Sequence, residues 1–103
     1  MHFWHSKPGF TDTKNLLVVR CRLEPGDGHP FHCHPNKEEV IYFLSGNAEQ
    51  WVQNKMKAME PGSSVYIPAD VVHATFNKSD SPVEFIAVIT PASADGPITI
   101  EVS

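Results

Sequence analysis

His32-Cys33-His34-Pro35-Asn36-Lys37-Glu38-Glu39, answered far along the chain by His73, is the stretch on which the reading of this sequence turns. Imidazole and carboxylate are the donors that borderline and hard divalent metals accept. In a strand, side chains at i and i+2 leave the same face. His32 and His34 therefore aim two ring nitrogens at one point, and Cys33 turns away to pack. Glu39 lies just across the turn Pro35-Asn36-Lys37, where the chain is expected to return antiparallel beside the histidines. His73 then has to arrive from a distant strand folded onto the same site. The expectation is a metal centre with His32, His34, Glu39 and His73 as ligands. Glu38 competes with Glu39 for the carboxylate role. Alternation does not separate them, because Ile41 and Phe43 lie with Glu39 while Val40 and Tyr42 lie with Glu38, and both faces are apolar.

Working outward, β-rich runs recur between Pro, Gly, Asn and Asp punctuation: Leu16–Leu23, Glu39–Leu44, Ala48–Gln53, Met56–Met59, Ser64–Ile67, His73–Phe76, Val83–Ile89 and Ile98–Val102. Short strands at even spacing with turn signals predict an all-β sandwich or small barrel. No window shows a capped helical period, and 9 prolines would break most candidates. In the first run Leu17, Val19, Cys21 and Leu23 share one face and Arg20 and Arg22 the other. Alternation leaves open which of the two looks inward.

A chain of 103 residues buries one core and has no room for two, so a single domain over 1–103 is expected, with 1–12 as an N-terminal arm. Hydrophobic content of 41% against 19% charged excludes a disordered chain. A net charge of -4 without any Lys/Arg run argues against nucleic acid or an anionic membrane surface as partner. The apolar stretches are far too short to span a bilayer. The layout of the N-terminus, unlike a signal peptide, predicts a cytoplasmic protein, in which Cys21 and Cys33 stay reduced. There is no nucleophile elbow, Walker-type loop or dinucleotide fingerprint.

The segment from Gly26 through His32, His34 and Glu39 to Gly46 resembles the first motif of the cupin superfamily: Gly, five residues, His-x-His, three or four residues, Glu, six residues, Gly. Gly62, Pro68, His73 and Asn77 resemble the second, Gly, five residues, Pro-x-Gly, two residues, His, three residues, Asn. Asp70 stands where that family has glycine, which puts the turn geometry rather than the ligands in question, since Asp tolerates the left-handed region. The two motifs occupy about half the chain, from Gly26 to Asn77. The resemblance implies a small antiparallel jelly-roll barrel with His32, His34, Glu39 and His73 pointing into its mouth. Its six-residue interval to Gly46 favours Glu39 over Glu38.

Two classes of function remain. The first is a metal-dependent enzyme of dioxygenase or isomerase type acting on a small oxygenated metabolite, with Glu39 able to serve as a base. Fe, Mn or Ni suits the mixed nitrogen and oxygen set, and Zn or Cu is able to occupy it. The second is a non-catalytic binding or sensor module with the same barrel and metal. Gln50 and Thr75 are candidate pocket polar groups, and Thr75 shares strand parity with His73. Tyr42, Tyr66, Arg20 and Arg22 are weaker suggestions for a second catalytic group. Phe31, Trp51 and Phe76 are candidates for core or pocket lining. His2, His5 and His29 are read as surface or arm residues, and Asn77 as a group satisfying turn backbone. The apolar residues of the arm, Phe3, Trp4 and Phe10, are expected to cover an edge of this or a neighbouring sheet, and a homodimer is expected.

Overall fold

Alternating apolar residues, interrupted by residues that turn the chain, give strands throughout the computed structural model, which describes residues 2–6, 15–91 and 100–101. The strands are β1 (His2–Ser6), β2 (Leu17–Leu23), β3 (Gly28–Cys33), β4 (Glu38–Ser45), β5 (Ala48–Val52), β6 (Lys55–Met59), β7 (Ser64–Ile67), β8 (His73–Phe76), β9 (Val83–Thr90) and β10 (Ile100–Glu101). They form two five-stranded antiparallel sheets, ordered β1-β2-β9-β4-β7 and β10-β3-β8-β5-β6. This is the all-β jelly roll. None of the described residues is helical, and no helix is long and apolar enough to cross a membrane.

Burial in β2 alternates strictly, with Leu17, Val19, Cys21 and Leu23 inside. The arginine face of that strand is therefore the outer one. Arg22 pairs there with Glu24 at 2.8 Å and Glu84 at 4.0 Å. The same alternation turns Ile41 and Phe43 of β4 and Val83, Phe85 and Ala87 of β9 inward, where they meet Ala48 and Met59 of the other sheet. Each large apolar side chain so buried contributes roughly 1.5–3 kcal/mol.

The chain does not return beside the histidines after Pro35-Asn36-Lys37. β3 and β4 lie in different sheets, so this turn crosses the sandwich. Residues 2–6 of the expected arm form a strand on the edge of their own sheet, opposite β2. Residues 7–12 lie outside the described residues, as does most of the expected final strand, of which Ile100–Glu101 pairs with β3.

Two turns explain motif positions. Gly46 has φ 79°, and a Cβ there would strike the Pro82 carbonyl and the Val83 Cα, so only glycine closes this corner. Asp70 adopts φ 67°, the left-handed conformation that glycine would take. Its Oδ1 also accepts the Asn36 N–H at 3.0 Å, a bond that glycine has no side chain to make.

Candidate metal centre

His32 and His73 are direct cross-strand partners on β3 and β8, with ring centroids 4.2 Å apart. His34 follows the end of β3 and sits 5.0 Å from the His32 ring and 5.1 Å from the His73 ring. The three histidines bring one ligand atom each to within 4.8 Å of one another. Glu39 comes from the facing sheet. Its Oε1 lies 2.9 Å from His73 Nε2 and 3.1 Å from His34 Nε2. The site thus draws on both layers at the place where the β3–β4 turn passes between them.

Backbone carbonyls determine which ring nitrogens face inward. His73 Nδ1 donates to the Val71 carbonyl at 3.0 Å, and His32 Nδ1 to the Pro30 carbonyl at 2.6 Å. A carbonyl only accepts, so each Nδ1 carries the proton and each neutral ring presents an Nε2 lone pair. Burial lowers the His32 pKa, the Pro30 bond works against that, and the neighbouring His73 and His34 lower it further; the neutral, ligating form prevails. Burial acts to raise the Glu39 carboxyl; when the Nε2 atoms of His34 and His73 carry protons, their hydrogen bonds and charge outweigh it and hold the pKa at about 2.

With the rings neutral, as their Nδ1 bonds leave them, the ionised Glu39 Oε1 and His73 Nε2 are both buried and without a hydrogen bond. Two acceptors 2.9 Å apart repel unless something positive lies between them. Imidazole nitrogens with a carboxylate are the donor set of a divalent transition metal, so these residues fit such an ion. The carbonyl bonds to both Nδ1 atoms are the orienting contacts that metal-binding histidines commonly have.

Glu38 lies on the exposed face of β4, where it accepts a hydrogen bond from Tyr66 Oη at 3.2 Å. Tyr42 and Tyr66 are exposed, and Arg20 and Arg22 share the outer face of β2, so none of these four lines the interior. Gln50 and Thr75 are buried cross-strand partners, and Thr75 Oγ1 donates to Gln50 Oε1 at 2.5 Å. Phe31 packs edge-on to Trp51 at 6.0 Å and Phe76 at 5.9 Å, half-buried on the outer side of its sheet rather than in a pocket. Asn77 is buried and structural. Its Nδ2 donates to the Leu23 and Ser81 carbonyls, and its Oδ1 accepts from Ser79. Cys33 is half-buried and free.

His29 corrects the sequence reading. Its ring stands edge-on to His32 at 6.4 Å and to the core residue Phe85 of the facing sheet at 5.8 Å. His32 lies three positions after His29, which in a regular strand would place them on opposite faces. Their partners on β8, Thr75 and His73, are only two apart, so β3 bulges by one residue between them. The extra residue returns His29 to the inner face. Pro30, which has no N–H to offer a ladder, was the available signal. His2 and His5 lie in β1, and their side chains fall outside the described residues.

Residues 19–89 match the sequence profile of the family described as Cupin domain. A glucose-6-phosphate isomerase of Thermococcus onnurineus is 35% identical over 72 residues, 65% of this chain and 37% of that protein, so the chain spans little more than a third of this relative. The crystal structure of a predicted oxalate decarboxylase from Thermotoga maritima is 27% identical, with a TM-score of 0.74 over 82% of this chain and 73% of that one. A double-stranded β-helix domain protein from Klebsiella pneumoniae superposes on 100% of this chain, and on 84% of its own, with a TM-score of 0.85; at 21% identity it speaks to the fold alone.

Proposed function

Since the chain belongs to the cupin family, we propose that it is a metal-dependent enzyme of isomerase or dioxygenase type, using His32, His34, Glu39 and His73 on a small oxygenated metabolite. The observation that carries this reading is the facing pair of buried acceptors, Glu39 Oε1 and His73 Nε2, 2.9 Å apart with no proton donor between them. A bound Fe, Mn or Ni, or Zn or Cu in their place, would supply Lewis acidity or activation of dioxygen. The chain's own residues do the rest. His32 and His73 are oriented by their backbone carbonyls. Glu39 is able to leave a metal and accept a proton from a substrate carbon or hydroxyl. The apolar core that includes Ile41, Phe43 and Phe85 fills the rest of the space between the sheets. The isomerase and decarboxylase names among its relatives, both concerned with small oxygenated acids or sugars, support the substrate class.

A second reading, binding without chemistry, draws on Gln50 and Thr75. These buried polar groups share a sheet with His73: Thr75 Oγ1 donates to Gln50 Oε1, and Gln50 Nε2 donates to the Trp51 carbonyl at 3.2 Å. Metal content per chain, measured by inductively coupled plasma mass spectrometry on tag-free protein prepared without chelator, tests the site. Near-stoichiometric iron, manganese or nickel upholds it and directs substrate screening. Absence of metal, together with failure to take up added metal, sinks it.

We also propose a cytoplasmic location, in keeping with the free thiols of Cys21 and Cys33, and a homodimer. The outer face of β4 and β7 exposes Val40, Tyr42, Leu44 and Tyr66, apolar surface that a second copy would cover. Light scattering that returns a monomer mass at micromolar concentration would end the dimer proposal.

A further inference from the structure

The turn that crosses the sandwich holds a charge that the metal reading leaves unused. Lys37 is only 2% exposed. Burial alternates without a break from Lys37 through Glu39, Ile41 and Phe43, so Lys37 leaves the inner face of the chain, two residues from Glu39. The register that sets Glu38 opposite Thr90 and Glu39 opposite Ile89, extended by one residue past the strand ends, would bring Lys37 opposite Pro91. The Lys37 Nζ donates to the Pro91 carbonyl at 2.5 Å. Among the described residues no carboxylate pairs with it. An ammonium has three donors, and among the described residues this one spends a single donor on a neutral oxygen. Removing an ammonium from water costs far more than one neutral acceptor returns.

Charge counting carries the argument further. A divalent ion held by neutral imidazoles and the Glu39 carboxylate would keep one positive charge, and Lys37, two residues from Glu39 on the same inner face, adds a second to the same interior. In a buried interior, two like charges are unfavourable until an anion joins them.

We propose that Lys37 is a specificity-determining residue: its ammonium binds the anionic group of a small doubly negative acid, a dicarboxylate or a phosphomonoester, whose remaining oxygens lie toward His32, His34, Glu39 and His73. The inference rests on the metal reading above for the second positive charge. It assigns Lys37 more than the pinning of the chain after β9. Lys37→Gln separates the two roles, because its amide can still donate to a carbonyl but carries no charge.

Isothermal titration calorimetry with malonate and inorganic phosphate as probes, and acetate as the singly charged control, tests this on the full chain. Wild type, Lys37→Met and Lys37→Gln are each titrated manganese-loaded and metal-free, with melting temperature and metal content recorded alongside. The expected result is that at least one dianion binds wild type and that both substitutions raise its Kd by about tenfold or more. Acetate binding and metal content should stay near wild-type values. Malonate binding alone identifies a dicarboxylate, and phosphate binding alone a phosphomonoester. If Lys37→Met does not fold, Lys37→Gln carries the test. Dianion affinity unchanged in the Gln variant, or no dianion binding to wild type in either form, overturns the proposal. A wild type that takes up no manganese defeats the metal reading instead. Lys37 is then judged on the metal-free titration, where dianion binding that depends on Lys37 upholds it and any other result overturns it.

Discussion

The two sheets obey different rules. In the sheet of β2, β9 and β4, burial alternates residue by residue, and apart from Lys37 and Glu39 at one end of β4 the inner face is apolar. In the sheet of β3, β8 and β5, the inner face carries His32, His73, Thr75 and Gln50, and the pairing slips by a residue between His29 and His32. Both sheets contain register shifts, between Trp4 and Ser6 and between Phe43 and Ser45 in the first and between His29 and His32 in the second. The layers differ in what their inner faces carry: the first is built for burial, and the polar inner side chains, which break the local pattern where a protein acts, lie mostly in the second.

If that division is right, substitutions in the two layers fail in different ways. Phe43→Ala, in the apolar layer, removes a fully buried ring and should cost about 3–5 kcal/mol, read from the urea midpoint. The folded fraction should keep its metal stoichiometry. A change below about 1 kcal/mol would mean that the core does not centre on this layer. His73→Ala, in the polar-faced layer, should do the reverse. With metal at a hundredfold excess over Kd, binding stabilises by about 2.7 kcal/mol, so wild type should gain about 10 °C or more in melting temperature. The variant should lose most of that gain while its metal-free melting temperature stays close to wild type. An undiminished metal-induced shift would remove His73 from the ligand set.

The smallest effect concerns the cysteines, one in each layer. Burial pushes the Cys21 thiol up to about 12, helped by the nearby Glu39 charge, against an ordinary value of 9.0. A thiol whose folded pKa is raised contributes stability that is fully present below the unfolded pKa. That contribution is lost as pH rises from about 9 toward 12. Melting temperature should therefore decline over that range, and Cys21→Ala should flatten the decline. At neutral pH a thiol reagent should modify the half-buried Cys33 well before Cys21. Equal rates would show that β2 is not sealed.

The apolar layer was legible in the sequence because period-two alternation is local: Leu17 to Leu23 and Val83 to Ile89 spell their own faces. The candidate ligands were legible because their spacing matches a family pattern, and His34 reaches the cluster although β3 ends just before it. What escaped depends on relations between segments. Parity misplaces His29 because a bulge is defined by the partner strand as much as by its own residues. The turn after His34 gave no sign that it crosses between sheets, since Pro35-Asn36 suits a hairpin equally well. The bond from Asn36 to Asp70 joins residues that no local pattern connects. Glu38 and Glu39 became distinguishable once β4 had a definite inner side.

That Asp70 bond has a consequence for how fast an ion is captured. It ties the turn carrying His34 to the loop leading into His73, while Val71 and Pro30 hold the rings of His73 and His32. The entropy of gathering the donors is thus spent during folding, not at the encounter with the ion. In small domains that fold around their metal, capture waits on the chain. Here the chain stands ready, and for an ion bound at the proposed centre the slow step would pass to the ion itself, which would have to shed its water before the imidazoles replaced it.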